Sequence, residues 1–227
     1  MLKLEHLTLN DRAYTTIKQG LISGKFAPGE VLVIRKLAEM YGISTTPIRE
    51  ALQRLVAERV LEIAPNRSIF VPLLTASTFE ELTSIRVAME GVAGERATRH
   101  MTDSALVEVK ALYNSMGRAV AARNGSLYLA LNEAFHFAIY TQANAPLLLN
   151  MVRDLWVRVG PYLSLLMESA AYVPRSNDVH QKIVEALERR DSAAVRASIE
   201  EDITSAAAVL GERLEEVVSA SKSANVG

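Results

Sequence analysis

From residue 77 onward this 227-residue chain shows one kind of periodicity. Its apolar residues recur three and four apart, as on a helix, and do not alternate as on a strand. Ser77 and Glu80 form a capping box that opens the run. Six helices are predicted, at about 77–99, 103–123, 126–142, 146–169, 174–190 and 192–217. Thr102 and Asp191 are expected as caps, Gly125 and Pro174 as breaks, and Ser219–Gly227 as a frayed tail. Helices without strands bury their apolar stripes on one another, so residues 75–227 should form a six-helix bundle.

Residues 1–74 read differently. Tyr14, Ile17, Leu21 and Ile22 share a helical face from near Asp11 to Gly24. Pro28-Gly29 marks a turn, and Val31–Val33 a short extended piece. A helix at about 35–41 closes at Gly42, and a third starts near Thr45, capped by Ser44 or Thr46, with Pro47 in its first turn. Val60–Ile63 and Ser68–Pro72, split by Pro65-Asn66-Arg67, read as a hairpin. The fold class is therefore mainly α: an N-terminal winged helix-turn-helix over 1–74 and a helical body over 75–227.

Composition excludes several functions. With no cysteine, disulfides and thiolate metal sites are ruled out, so a metal would need His, carboxylate or amide ligands. The first ten residues lack a basic start and a continuous apolar run, and no stretch approaches the roughly 18 apolar residues of a membrane span. A cytoplasmic protein with no membrane partner is expected. The charge is unevenly divided. Residues 1–74 hold ten Lys and Arg against seven Asp and Glu, the rest fifteen against nineteen. A basic head on an acidic body suits phosphate binding by the head.

In a helix-turn-helix the second helix presents its N-terminal residues to base edges in the major groove. Here those residues are Ser44, Thr45 and Thr46, then Arg49 and Gln53. Hydroxyls at a helix start suit phosphate, and Arg49 suits a bidentate contact with guanine. Asn66 and Arg67 would bring the wing to the backbone or the minor groove. The partner so predicted is double-stranded DNA. Residues 12–72 resemble the GntR family head, through Pro28-Gly29, Leu37-Ala38 and the run from Ser44 to Leu52. The resemblance implies DNA contacts at Arg35, Ser44, Thr46, Arg49 and the wing. The chain departs from the family at Thr45, where Arg is usual, and at Ser68, where Gly is usual. The first removes a long cation, which points to a different operator. The second would affect the wing tip if position 68 needed positive φ.

The body aims polar side chains at its core. Asn132 and His136 share a face with Tyr128, Phe135 and Ile139. His180 lies with Ile183, Val184 and Leu187, and Asp202 with Val195, Ile199, Ala206 and Val209. Arg86 sits on a stripe with Leu82, Met89 and Ala93. A buried polar group without a partner costs about 1–3 kcal/mol, so these groups must meet each other, a ligand or a metal. Two imidazoles and a carboxylate suit a divalent ion such as Zn²⁺ or Ni²⁺. Two plainer readings stand beside this one: satisfied core histidines, and an Arg86–Glu90 pair one turn apart. His6 and His100 carry no functional reading.

Residues 79–206 resemble the FCD domain that follows GntR heads in the FadR subfamily. The matching segments are 81–98, 131–148, which includes Asn132 and Phe135-His136, and 179–203, which includes His180. Six helices rather than seven resemble the VanR-like branch. The resemblance implies metal ligands at the positions of Asn132, His136, His180 and Asp202, where the family has one Asp and three His. It also implies a small organic acid as effector, met by Arg86. On this reading the chain is a homodimeric repressor on a palindromic operator. The alternative is a metal-dependent hydrolase or lyase carrying a DNA-binding-like head. It lacks a suitable general base, since Glu133 points about 100° away from Asn132.

Overall fold

The computed structural model describes residues 8–168 and 172–224. His6 therefore lies outside the described residues, as does the end of the tail, 225–227. The head opens with α1 (Leu9–Ile22), whose N-cap Thr8 and Asp11 form a reciprocal capping box. Then come α2 (Ile34–Tyr41) and α3 (Thr45–Ala57). Gly42 joins them at φ 64°, a left-handed conformation that ends α2 and that glycine adopts at little cost. Ile17, Leu21, Ile48, Leu52 and Leu55 form the buried centre of the head. The wing is the hairpin β1 (Glu62–Ile63) and β2 (Ile69–Phe70), antiparallel, with Glu62 opposite Phe70 and Ile63 opposite Ile69. Val31 bridges to Phe70, adding the extended piece to the wing.

The body consists of α4 (Ala76–His100), α5 (Asp103–Ala121), α6 (Gly125–Tyr140), α7 (Pro146–Leu163), α8 (Tyr172–Glu188) and α9 (Ser192–Ala224). The predicted winged helix-turn-helix and helical bundle are both present. Several local expectations need correction. Thr75, not Ser77, caps α4, its hydroxyl accepting from the Thr78 amide. The helix expected over 146–169 stops at Leu163 and tightens into a 3-10 turn over Ser164–Glu168. Pro161 lies inside the last turn of the helix and has no N–H to offer the Val157 carbonyl one turn back. The tail expected to fray from Ser219 continues as helix to Ala224. At the wing tip the positive φ falls on Arg67 (66°), not on Ser68, so Ser at 68 meets no backbone strain. No helix among the described residues is long and apolar enough to cross a membrane.

The head docks on α7. Lys18 pairs with Asp154 at 2.9 Å, and the Gln19 amide donates to Glu133. The Arg158 guanidinium donates to the carbonyls of Arg59 and Glu58 at 2.6 and 3.1 Å, where α3 ends. Tyr162 clamps the connecting segment: its hydroxyl donates to the Pro72 carbonyl at 2.7 Å and accepts from the Leu74 amide at 2.8 Å. Burial pushes this phenol up to about 12, so it remains a donor. At Gly160 the backbones of the two parts approach closely. A Cβ there would lie 2.4 Å from the Leu21 carbonyl oxygen and 2.5 Å from that of Ile22.

That contact fixes the sign of a substitution. In an open helix interior Gly→Ala gains up to about 1 kcal/mol. Gly160→Ala is expected to destabilise instead, by about 1–3 kcal/mol, because the methyl meets backbone that cannot give way. Urea denaturation measures it. A stabilised variant would mean that the head does not sit against α7 in solution.

Candidate DNA-reading face and metal centre

The residues expected to read DNA are all exposed. Pro47 and Ile48 are buried and anchor the start of α3, while Ser44, Thr45, Thr46, Arg49 and Gln53 are exposed, as is Arg35 on α2. The Ser44 side chain makes no capping bond, which leaves its hydroxyl available. Arg35, Arg49 and Arg67 form no ion pair among the described residues. Arg54, a turn beyond Glu50, instead pairs with Glu58 and stacks 3.8 Å from the Tyr14 ring centre. In the wing, Asn66 Oδ1 accepts from the Ser68 amide and hydroxyl, so its oxygen shapes the tip.

In the body, α6, α8 and α9 bring His136, His180 and Asp202 together, with all three side chains buried. His136 Nε2 lies 3.3 Å from His180 Nε2 and 3.3 Å from Asp202 Oδ2, and His180 Nε2 lies 3.5 Å from Asp202 Oδ1. The three ligand atoms fall within 4.8 Å of one another. Phe135 sets its ring edge-on to both imidazoles, at 5.3 and 5.1 Å between centres. Burial alone pushes the Asp202 carboxyl up, but the imidazoles of His180 and His136 outweigh it and hold the group below the usual carboxylate range. Ser176 donates to Asp202 Oδ1 at 3.4 Å, and Tyr128 donates to Ser176 at 3.0 Å. Asn132, half-buried one turn before His136, lines the same cavity as His136, Asp202, Trp156 and Arg86. The cavity is about 20 Å³, room for one or two water-sized species.

Arg86 pairs with Glu90 one turn along, as the plainer reading of its stripe had it. Its Nε donates to Glu90 Oε1 at 2.7 Å, and both side chains are buried. Glu90 is the residue whose importance was least visible beforehand. It is 0% exposed, and its Oε2 accepts from Tyr140 Oη at 2.9 Å and Trp156 Nε1 at 2.8 Å. Tyr140 also lies 3.2 Å from His136 Nδ1. A signal for both residues was present in the chain: Glu90 stands four after Arg86, and Tyr140 four after His136. Glu133, the nearest approach to a general base, is held at the head–body joint by Gln19.

Two family models match the chain: "Bacterial regulatory proteins, gntR family" over residues 9–71 and "FCD domain" over 81–205. The HTH-type transcriptional regulator McbR of Escherichia coli (strain K12) is 31% identical over 92% of this chain and 95% of its own. The solved structure of E. coli McbR/YncC superposes with a TM-score of 0.86, at 30% identity, covering 92% of this chain and 99% of that one. A GntR regulator structure from Rhodococcus sp. RHA1 shares the fold, with a TM-score of 0.73 at 20% identity over 88% of this chain and 96% of that one.

The Arg86–Glu90 pair has a consequence for stability that needs no ligand. Arg86→Met leaves Glu90 buried with neutral donors only, and removing one partner of a buried pair costs about 3–5 kcal/mol. Chemical denaturation of the metal-free, ligand-free protein is expected to show that loss. Stability equal to wild type would mean that the pair does not support the bundle.

Proposed function

Because the chain belongs to the GntR family of bacterial regulatory proteins and carries an FCD domain, we propose that it is a homodimeric repressor controlled by a divalent metal and a small carboxylate effector. Residues 1–74 would bind double-stranded operator DNA, and residues 75–227 would hold the ligands and the dimer contact. The observation that carries the metal reading is the convergence of His136, His180 and Asp202. Two Nε2 atoms and a carboxylate gathered this closely in an apolar core repel one another unless a cation or protons lie among them. This donor set fits Zn²⁺ or Ni²⁺. Relative to the family's Asp and three His, the carboxylate has moved from α6 to α9, and Asn132 offers only an amide oxygen in its place. The formal charge of the ligand set is unchanged by the exchange.

The effector reading is supported by Arg86, which spends Nε on Glu90 and borders the cavity with its guanidinium over the Trp156 ring, 5.3 Å from the ring centre. A space of about 20 Å³ does not hold an organic acid, so binding would have to part the cavity wall. Such an opening would give the effector two body conformations to choose between. An acid that weakens operator binding must itself bind less well to the DNA complex. The relatives found are regulators rather than enzymes.

On operator DNA, Arg49→Ala is expected to cost about 1–3 kcal/mol if Arg49 reads a base. Gel-shift or fluorescence titration measures this, and unchanged affinity would remove α3 from the reading role. For the body, elemental analysis of protein purified without chelator is expected to find a divalent metal. His136→Ala or His180→Ala should lose the metal-dependent stabilisation, about 2.7 kcal/mol at a hundredfold excess over Kd, and with it the rise in melting temperature on adding metal. Asn132→Ala should lose less. Occupancy should fall in acid, since protonated imidazoles do not ligate. Wild-type protein that takes up no metal on titration would overturn the metal reading.

A further inference from the structure

The two imidazoles present Nε2 to the same point, but their Nδ1 atoms are held in different ways. His136 Nδ1 lies 3.2 Å from Tyr140 Oη, and Tyr140 Oη lies 2.9 Å from Glu90 Oε2. A phenol has a single proton to donate, and a carboxylate oxygen accepts. The Tyr140 proton therefore points at Glu90. The contact between Tyr140 Oη and His136 Nδ1 is then a hydrogen bond only if the proton belongs to the imidazole. Glu90 cannot turn away to relax this arrangement, because Arg86 Nε and Trp156 Nε1 both donate to it at 2.7 and 2.8 Å. Three donors from α4, α6 and α7 thus hold one carboxylate as an acceptor. His180 has no such anchor. Its Nδ1 is 3.5 Å from Tyr128 Oη, whose proton goes to the Ser176 hydroxyl, and only through that hydroxyl, at 3.4 Å, does the chain reach the Asp202 carboxylate.

We propose that Glu90 is a positioning residue for the metal centre: acting through Tyr140, it fixes a proton on His136 Nδ1 and reserves Nε2 for the ion. This rests on the metal reading above for its purpose, though not for its geometry. A ligating imidazole whose other nitrogen is tied to a fixed acceptor has one tautomer and one ring orientation. Removing such an outer partner typically weakens metal binding about 10–100-fold.

The test uses the full chain labelled with ¹⁵N-histidine, in metal-free and Zn²⁺-loaded forms, compared with Tyr140→Phe. Phe keeps the buried ring and removes only the hydroxyl. Nitrogen-detected NMR is expected to show His136 Nδ1 bearing a proton in wild type, with and without zinc. In Tyr140→Phe the metal-free protein should lose that preference, and competition with a chromophoric chelator should show zinc affinity lower by about 10–100-fold. Merely structural packing would not move a proton between ring nitrogens. A metal-free wild type in which His136 carries its proton on Nε2 alone would overturn the proposal. So would a Tyr140→Phe variant with unchanged Nδ1 protonation and zinc affinity. Should Tyr140→Phe not fold, the wild-type spectrum still decides. If wild type binds no zinc, the metal reading fails by itself, while the protonation of Nδ1 in the metal-free protein still settles the relay.

Discussion

A carboxylate taken entirely out of water loses solvation that only fixed donors can replace, and Glu90 is such a group, 0% exposed at the middle of the bundle. Its two oxygens accept from Arg86, Tyr140 and Trp156, which come from α4, α6 and α7. These bonds fix how three helices sit relative to one another around the polar centre. They also tie the guanidinium that borders the cavity to Oε1 and, through Tyr140, the His136 imidazole to Oε2 of one anion. A change at either reaches the other through a single side chain, without a long route through the core.

The same helix that gives Trp156 to this centre carries the head. Arg158, Gly160 and Tyr162 follow within two turns, and each makes a different kind of contact: charged donor to carbonyls, close backbone approach, and a hydrogen-bonded clamp on the connecting segment. The head is therefore seated on the helix that walls the candidate ligand cavity. A ligand in that cavity would lie against Trp156, on the same helix that carries the head. This arrangement is what a regulator needs if a small ligand in the body is to alter DNA binding some distance away.

Much of this was legible along the chain. The cap and proline at the start of α3, the glycine after α2 and the two short β-prone runs give a winged head because each acts on its immediate neighbours. The inward faces of α6, α8 and α9 followed from helical spacing, which placed His136, His180 and Asp202 on core-facing stripes. Reading failed where two local signals competed. Ser77 and Glu80 matched a capping pattern, yet Thr75 took the cap two residues earlier. The apolar pattern of α7 continued past Leu163, where the helix tightens into a 3-10 turn.

Spacing within a helix is a property of the chain alone, so the sequence by itself determined the elements, their buried faces and the one-turn pairs Arg86–Glu90 and His136–Tyr140. Which pairs from different helices meet depends on how those helices cross and how far each is turned about its axis. No periodicity encodes that. Only the tertiary structure therefore decided that Glu90 receives Tyr140 and Trp156, fifty and sixty-six residues away. It likewise decided that the head rests on α7 where Gly160 leaves room for its backbone.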